Sequence, residues 1–260
     1  MADTTHEAFA QPEKNTPLWR YMDLAKLLDL LTTESLFFPN VTSFDDAFEA
    51  TSPKPLVEEI DKLISDDEYR KTRAEEIDED VLQKTIEQFQ NLKRELRKSM
   101  FVSCWHANAN ESAYMWKIYT QIGDSIAIQL PYENLCASLP DEVLIGLVHY
   151  IDYEGETFRD RSLFTNLINW VSHKRLAYAH ENEVRAVLFD FQGRHEFSSD
   201  KIKRVDDGYR VKGDLSNLDA TIVVNPDASS WLAEAVNGLI AMTGLKWPVT
   251  QSALLQEPYD

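Results

Sequence analysis

Apolar positions before residue 100 recur mainly at helical spacing. The first stripe predicts an amphipathic helix that begins after Asp23, a suitable N-cap residue. Its members are Leu24, Leu27, Leu28 and Leu31. Between residues 55 and 98 the chain is strongly charged, and two further stripes predict two helices with a break near residues 65–67 or 75–80. These stripes are Leu56, Ile60, Leu63 and Ile64, followed by Leu82, Ile86, Phe89, Leu92 and Leu96.

After residue 100 the pattern becomes typical of strands, with alternation at residues 125–130 and β-branched or aromatic runs elsewhere. The candidate strands are residues 36–39, 101–105, 125–130, 183–189 and 221–224, and the apolar residues 143–150 are predicted to end in another. Helical spacing returns at residues 115–119, 163–171 and 231–240, and Gly244 is a suitable stop for the last of these helices.

Strands therefore cluster late in the chain, and helices lie before and between them. This order predicts an α+β fold with a mixed, mostly antiparallel sheet after residue 100, flanked by helices, and a charged helical insertion at about residues 55–98. Residues 1–16 are predicted to be a polar tail. Residues 17–260 are predicted to be a single domain, because no Gly/Ser-rich linker divides them.

Composition narrows the classes of function. Apolar residues make up 43% of the 260 residues and aromatic residues 11%, which indicates a folded core rather than disorder. The net charge of -18 argues against non-specific nucleic-acid binding, which depends on Lys and Arg. No apolar run predicts a membrane span, and the first 17 residues do not resemble a secretory signal. With only Cys104 and Cys136, we expect a reduced, cytoplasmic protein.

Familiar catalytic motifs are absent from the sequence. It contains no Gly-rich phosphate loop, no Cys-x-x-Cys pair, no His-Glu-x-x-His and no Gly-x-Ser-x-Gly elbow. The six histidines are scattered, so we expect no metal site. Candidate chemistry must come from three shorter groups of residues.

The first group centres on Arg20, which lies between Trp19 and Tyr21. A guanidinium there could hold a phosphate or a carboxylate with two hydrogen bonds. It could equally form a salt bridge with one of the 44 acidic residues, or a cation–π contact with a neighbouring ring.

The second group centres on Ser103, which strand alternation places on one face with Phe101 and Trp105. A hydroxyl between two aromatic rings could orient a ligand. It could also be a small polar residue that only satisfies the backbone.

The third group is Glu181, Glu183 and Arg185, which share one face if residues 181–185 form a strand. Two such carboxylates repel each other, and Arg185 could keep one of them ionised. A carboxylate of this kind could stabilise an oxocarbenium ion and bond a ribose hydroxyl. The alternative is a surface ladder of cross-strand ion pairs.

These groups and several others occur in an order that resembles the bacterial domain of unknown function 2971 family over roughly residues 17–255. The matching segments are Arg20–Tyr21, 43–49 (SFDDAFE), 103–105 (SCW), 115–119 (MWKIY), Glu-x-Glu-x-Arg at 181–185, 223–226 (VVNP) and Ser252. The family motif has Asn and Pro where this chain has Asp45 and Ala47, while Asp46 and Glu49 match. The resemblance implies a fold rather than an activity.

A more distant resemblance, to the Arg-Ser-Glu layout of ADP-ribosyltransferases, implies a mechanism that uses NAD as substrate. It implies that Arg20, grouped with Tyr21, binds an NAD phosphate, and that Ser103 supports the nicotinamide ribose. Glu183 would bond the ribose 2′-hydroxyl, and Glu181 would assist the acceptor. Trp105 or Tyr119 could stack on the nicotinamide.

Three hypotheses follow. The chain is an NAD-consuming transferase or glycohydrolase of a bacterial stress or defence pathway. Alternatively, it is a non-catalytic interaction module whose acidic helices at residues 55–98 bind a protein partner, with Glu181 and Glu183 engaged in structural ion pairs. The third is a hydrolase of nucleotides or nucleic acids that uses the two carboxylates, with or without a metal ion.

Overall fold

The secondary structure is known for residues 1–74, 95–120, 123–158, 166–191 and 197–255, which the computed structural model describes. Their strands are β1 Pro17–Asp23, β2 Ser35–Pro39, β3 Met100–Ala107, β4 Ser125–Pro131, β5 Leu144–Leu147, β6 His149–Ile151, β7 His173–Arg175, β8 Glu183–Phe189, β9 Ile202–Val205, β10 Gly208–Lys212, β11 Thr221–Val224 and β12 Val249–Gln251. Their helices are α1 Leu24–Thr33, α2 Lys54–Ser65, α3 Asp67–Ala74, α4 Ala113–Tyr119, α5 Tyr132–Ser138, α6 Asn169–Ser172 and α7 Leu232–Thr243. Short 3-10 helices occur at Val41–Ser43, Leu176–Glu181, Leu215–Asn217 and Ala253–Leu255.

The main sheet has the strand order β12-β11-β4-β1-β3-β8-β5 and is antiparallel except for the pair β11–β12. A second antiparallel sheet has the order β2-β10-β9, and β6 and β7 form a short parallel pair. The predicted class, α+β with a mostly antiparallel sheet, is confirmed.

Apolar side chains cover both faces of the main sheet. On one face, Phe101 and Trp105 of β3 pack in a cluster with the buried residues of α1, α5 and α7. On the other face, Val102 packs with residues of α2 and α6. Neighbouring residues of β3 therefore belong to opposite apolar layers, as strand alternation requires.

The sheet opens between β1 and β3. These strands pair only at Leu18–Ala107 and Trp19–His106, whereas β1 pairs with β4, and β3 with β8, over seven residue pairs each. Continued pairing would place Arg20 opposite Trp105, but the two strands separate there. A gap of this kind leaves space for side chains from both faces of the sheet to meet.

Several predicted elements match their observed bounds closely. β8 and β11 cover residues 183–189 and 221–224 as predicted, and Asp23 caps α1 by accepting a hydrogen bond from the Lys26 N–H at 2.8 Å. Gly244 ends α7 with φ of 77°, a left-handed conformation that glycine adopts at little cost. The helix predicted at residues 163–171 does not have its predicted bounds, because the observed helix α6 covers only the four residues Asn169–Ser172. Residues 159–165 lie outside the described ranges.

The start of the chain departs most from expectation. β1 lies near the centre of the main sheet, so the sheet is not confined to residues after 100. Residues 1–16, expected as a polar tail, pack along β5, with isolated bridges from Asp3 and Ala10 to that strand. Ala2, Ala8 and Phe9 are buried, so this segment belongs to the folded body.

The charged insertion is partly described. α2 and α3 meet at Asp66, which agrees with the predicted break near residues 65–67. α2 buries Leu56, Ile60 and Leu63. Of the second predicted stripe, Leu96 is buried, and the other four positions, between residues 82 and 92, lie outside the described ranges.

Candidate functional site

A cavity of about 600 Å³ lies where β1 and β3 separate, and we call it the cleft cavity. The candidate residues on its lining are Arg20, Tyr21, Trp105, Tyr119, Glu181 and Glu183. Its size falls in the range of small-molecule sites. Ser103 is not part of the lining, and its side chain is fully buried.

Arg20 and Glu183 approach this cavity from opposite faces of the sheet. Alternation places Arg20 on the face of Trp105, whereas Glu183 lies opposite His106 on the other face. Both border the same space because β1 leaves β3 at this point. The opening of the sheet is therefore what creates the site.

The Arg20 guanidinium is held by neutral groups. Its Nη1 donates to Ser103 Oγ at 2.9 Å, its Nη2 donates to the Phe37 carbonyl at 3.4 Å, and its Cζ lies 5.5 Å from the centroid of the Trp105 ring. Among the described residues, no Asp or Glu forms an ion pair with it. Burial lowers the pKa of Arg20, although an arginine stays charged at neutral pH. Arg20 is thus a partly buried cation with an anion-binding capacity that the described residues leave unused.

Ser103 acts on Arg20 instead of on the cavity. Its hydroxyl accepts from Arg20 Nη1 and from Trp105 Nε1, the latter at 3.2 Å. The expected direct contact between Ser103 and a bound ribose is therefore not supported by its position. Ser103 therefore accepts hydrogen bonds from two side chains. The alternative interpretation expected its hydroxyl to bond only the backbone.

The aromatic candidates differ in availability. Trp105 is only 2% exposed, and its ring faces Arg20, so the expected stacking on a ligand ring is not supported for this residue. Tyr21 is buried against Trp116 in an edge-to-face arrangement, with the two ring centroids 4.9 Å apart. Its hydroxyl accepts a hydrogen bond from the Ser112 N–H. Tyr119 is 43% exposed, which leaves its ring the most accessible of the three.

Glu183 belongs to a buried ion-pair cluster formed by Glu49, Lys174, Glu181, Glu183 and Arg185. Arg185, fully buried, donates from Nε to Glu183 Oε1 at 2.7 Å and from Nη1 to Glu49 Oε1 at 2.6 Å. Lys174 Nζ lies 2.5 Å from Glu181 Oε2 and 3.4 Å from Glu183 Oε2. Glu183 and Arg185 are therefore interior residues, and the alternative of a surface ion-pair ladder is wrong.

Glu181 reaches this cluster from outside the strand. It ends the 3-10 helix Leu176–Glu181, and Asn182 follows in a left-handed conformation with φ of 38°. The strand begins only at Glu183. The expectation that Glu181 shares a strand face with Glu183 is wrong, because the turn at Asn182 separates them; Lys174 brings the two carboxylates together.

The charges of the cluster do not cancel. Three carboxylates (Glu49, Glu181 and Glu183) face two cations (Lys174 and Arg185), which leaves one negative charge. Burial alone would raise the pKa of Glu183, but Arg185 and Lys174 outweigh burial and lower that pKa to about 2. Glu183 is consequently an ionised carboxylate at neutral pH.

His106 adds an unused acceptor to the lining. Its Nδ1 lies 2.5 Å from the Glu181 carbonyl oxygen, and a carbonyl can only accept, so Nδ1 carries the proton. Burial lowers the pKa of His106, which keeps the ring neutral. Nε2 is then a lone-pair acceptor, and it is buried without a hydrogen-bond partner among the described residues.

We expect acid to weaken the fold through Glu183. Its pKa of about 2, below the ordinary 4.5, means that the ionised form stabilises the native state fully above pH 4.5. This contribution is lost as the pH falls from 4.5 toward about 2. Urea unfolding at a series of pH values should show a steeper fall in unfolding free energy for the wild type than for Glu183→Gln. Parallel curves for the two proteins would contradict this expectation.

The described residues lack two features that would indicate other kinds of site. No helix in these ranges has both the length and the apolar character needed to cross a bilayer. Within the same ranges, no three His, Cys, Asp or Glu side chains are grouped so that they could hold a metal ion.

No protein-family model matches the chain, and no curated protein or solved structure is significantly similar to it.

Lys174 and His106 line the cleft cavity, and neither is a candidate site residue from the sequence. Lys174 lies on the three-residue strand β7, too short for a periodic signal, and His106 lies in β3 one residue beyond the predicted strand at 101–105. Asp46 and Glu49, present in the 43–49 segment, have partners far along the chain: Arg175 for Asp46 and Arg185 for Glu49. Their presence in a shared motif was the only available signal.

Proposed function

We propose that the cleft cavity binds a dinucleotide such as NAD and that the chain is an NAD-consuming enzyme, either an ADP-ribosyltransferase or an NAD glycohydrolase. The observation that carries the proposal is the charge arrangement of the lining. The Arg20 cation has no carboxylate partner among the residues that the structure describes, and the ion-pair cluster has one excess negative charge. The motif order also leads us to infer membership of the bacterial domain of unknown function 2971 family.

This arrangement complements the charges of NAD. Its diphosphate is anionic, and a guanidinium fork is suited to phosphate oxygens. Its oxidised nicotinamide ring is cationic and would favour the negative side of the cavity. A protein with net charge -18 repels anions at long range, so a local cation such as Arg20 is needed for the diphosphate.

The reaction would break the bond between ribose C1′ and the nicotinamide nitrogen. Nicotinamide leaves as a neutral molecule with the bonding electron pair, and positive charge develops on C1′ and the ring oxygen. Glu183, already ionised, would stabilise this charge. Water or an acceptor hydroxyl, amine or carboxylate then bonds to C1′, and any proton it carries is released. Glu181, which lines the cleft cavity, would accept that proton.

The direct test uses the purified wild-type chain. We expect calorimetry to show saturable NAD binding, and chromatography to show nicotinamide release or transfer of labelled ADP-ribose to protein or nucleic acid. Absence of both binding and turnover would contradict the proposal.

Replacement of Arg20 by glutamine should weaken NAD binding by about tenfold or more, since a hydrogen bond to a charged group contributes about 1.5–3 kcal/mol. Calorimetric titration of NAD measures the change. Lys212→Gln is the matched control, because Lys212 forms only an exposed pair with Glu34. Equal affinities of Arg20→Gln and the control for NAD would show that Arg20 does not bind the NAD phosphates.

A second candidate, a non-catalytic binding module, has its own supporting observation. Both carboxylates proposed for catalysis are engaged: Glu183 by Arg185 and Lys174, and Glu181 by Lys174. A module of this kind would bind the nucleotide, lose affinity in Arg20→Gln and release no nicotinamide with any acceptor. The binding and turnover measurements above therefore separate the two candidates.

A further inference from the structure

A second cavity, of about 440 Å³, shares none of its described lining residues with the cleft cavity and has a different chemistry. The residues that matter on its lining are Ser52, Arg97, Lys98 and Trp170. Among the described residues that line it there is no Asp or Glu. In a chain with 44 acidic residues, a cavity whose described lining has two cations and no carboxylate is suited to an anion.

Arg97 is the central residue of this second cavity. Its side chain is partly buried, and its Nε is shielded from solvent without a hydrogen-bond partner in the described ranges. Buried donors are nearly always paired, so an orphaned N–H on a charged group needs an acceptor. Lys98 contributes less, because it is exposed and already paired with Glu95.

Ser52 and Trp170 supply a second donor and an apolar wall. Trp170 Nε1 donates to Ser52 Oγ at 2.9 Å, which fixes the hydroxyl oxygen as an acceptor and leaves its proton free to donate elsewhere. The Trp170 residue is only 5% exposed. An oxyanion between Arg97 and Ser52 would receive several hydrogen bonds, which matches the many acceptor oxygens of a phosphate group.

We propose that this second cavity binds a small phosphate ester, whose phosphate is held by the Arg97 guanidinium and the Ser52 hydroxyl. The proposal does not depend on NAD consumption. Inorganic phosphate is the probe for this site, and a dissociation constant of about 1 mM is expected for so small a fragment.

Tryptophan indole N–H signals can report the two anion sites separately. The Trp170 indole bonds Ser52 in the second cavity, whereas the Trp105 indole bonds Ser103, which holds Arg20. Proton–nitrogen correlation spectra would be recorded during phosphate titration of the full chain at constant ionic strength. Trp170→Phe and Trp105→Phe assign the two signals.

We expect phosphate to shift the Trp170 signal saturably in the wild type and in Arg20→Gln, and not in Arg97→Gln. Arg97→Lys, which keeps the charge and loses the fork, should weaken binding by about tenfold. Unchanged positions of the other indole signals establish that these variants are folded. A Trp170 shift that is absent from the wild type, or that persists in Arg97→Gln, would overturn the proposal. Equal affinity for acetate would overturn the assignment to phosphate.

Discussion

Replacement of Arg185 by methionine is expected to lower the free energy of unfolding by about 3–5 kcal/mol, the largest stability effect that we predict for a single substitution. The Arg185 side chain is completely buried, with 0% relative exposure. It donates hydrogen bonds to Glu49, Glu183 and the Val171 carbonyl. Methionine fills a similar volume but leaves two buried carboxylates with one cation fewer. Their repulsion and desolvation are what destabilise the variant.

Urea unfolding followed by circular dichroism measures this effect. Lys54→Met is the matched control, because Lys54 and Glu154 form an ion pair with side chains 56% and 73% exposed. An exposed pair of this kind contributes about 1 kcal/mol or less. Similar losses in the two variants would show that the buried ion-pair cluster does not stabilise the fold in the way that its geometry indicates.

The fold was predictable where the signal is local. Residues 183–189 and 221–224 are rich in β-branched and apolar residues, and both are strands with the predicted bounds. Asp23 and Gly244 mark helix ends through their own backbone and side-chain preferences. Each of these signals needs only neighbouring residues.

β1 was missed because it lies inside the sheet. Leu18, Trp19, Tyr21 and Met22 are buried on both faces, so the strand lacks the polar alternation by which a half-buried strand is recognised. Arg20 interrupts its apolar run. The placement of residues 1–16 was also unpredictable, since it depends on bridges from Asp3 and Ala10 to residues more than a hundred positions away.

The site shows the same division between local and distant information. The candidates Arg20, Glu181 and Glu183 were selected by residue type and motif order, and all three line the cleft cavity. Of the two cations that lower the pKa of Glu183, Arg185 was selected with it and Lys174 was not. Lys174 and Glu49 act through contacts set by the topology, and Glu49 lies 136 positions from Arg185. No periodicity in a single sequence encodes such a pair.

Replacement of Glu183 by glutamine should reduce nicotinamide release by about 100- to 1000-fold, the largest effect on activity that we predict, and it rests on the proposed function. Glutamine has nearly the same shape but carries no charge, so it cannot stabilise the positive charge that develops on ribose C1′. NAD affinity should change much less, because Arg20 holds the phosphates in the ground state. The loss should therefore appear in kcat rather than in KM.

The matched control for this substitution is Glu154→Gln, which makes the same chemical change at an exposed surface pair. Glu183→Gln also leaves Lys174 and Arg185 with one carboxylate fewer, so its unfolding must be measured beside its kinetics. Glu181→Gln gives an independent comparison, since it should reduce transfer to an acceptor more than NAD hydrolysis. Folded Glu183→Gln with wild-type kcat would exclude Glu183 from the reaction, because no other group in the proposed mechanism carries the charge opposite the developing cation.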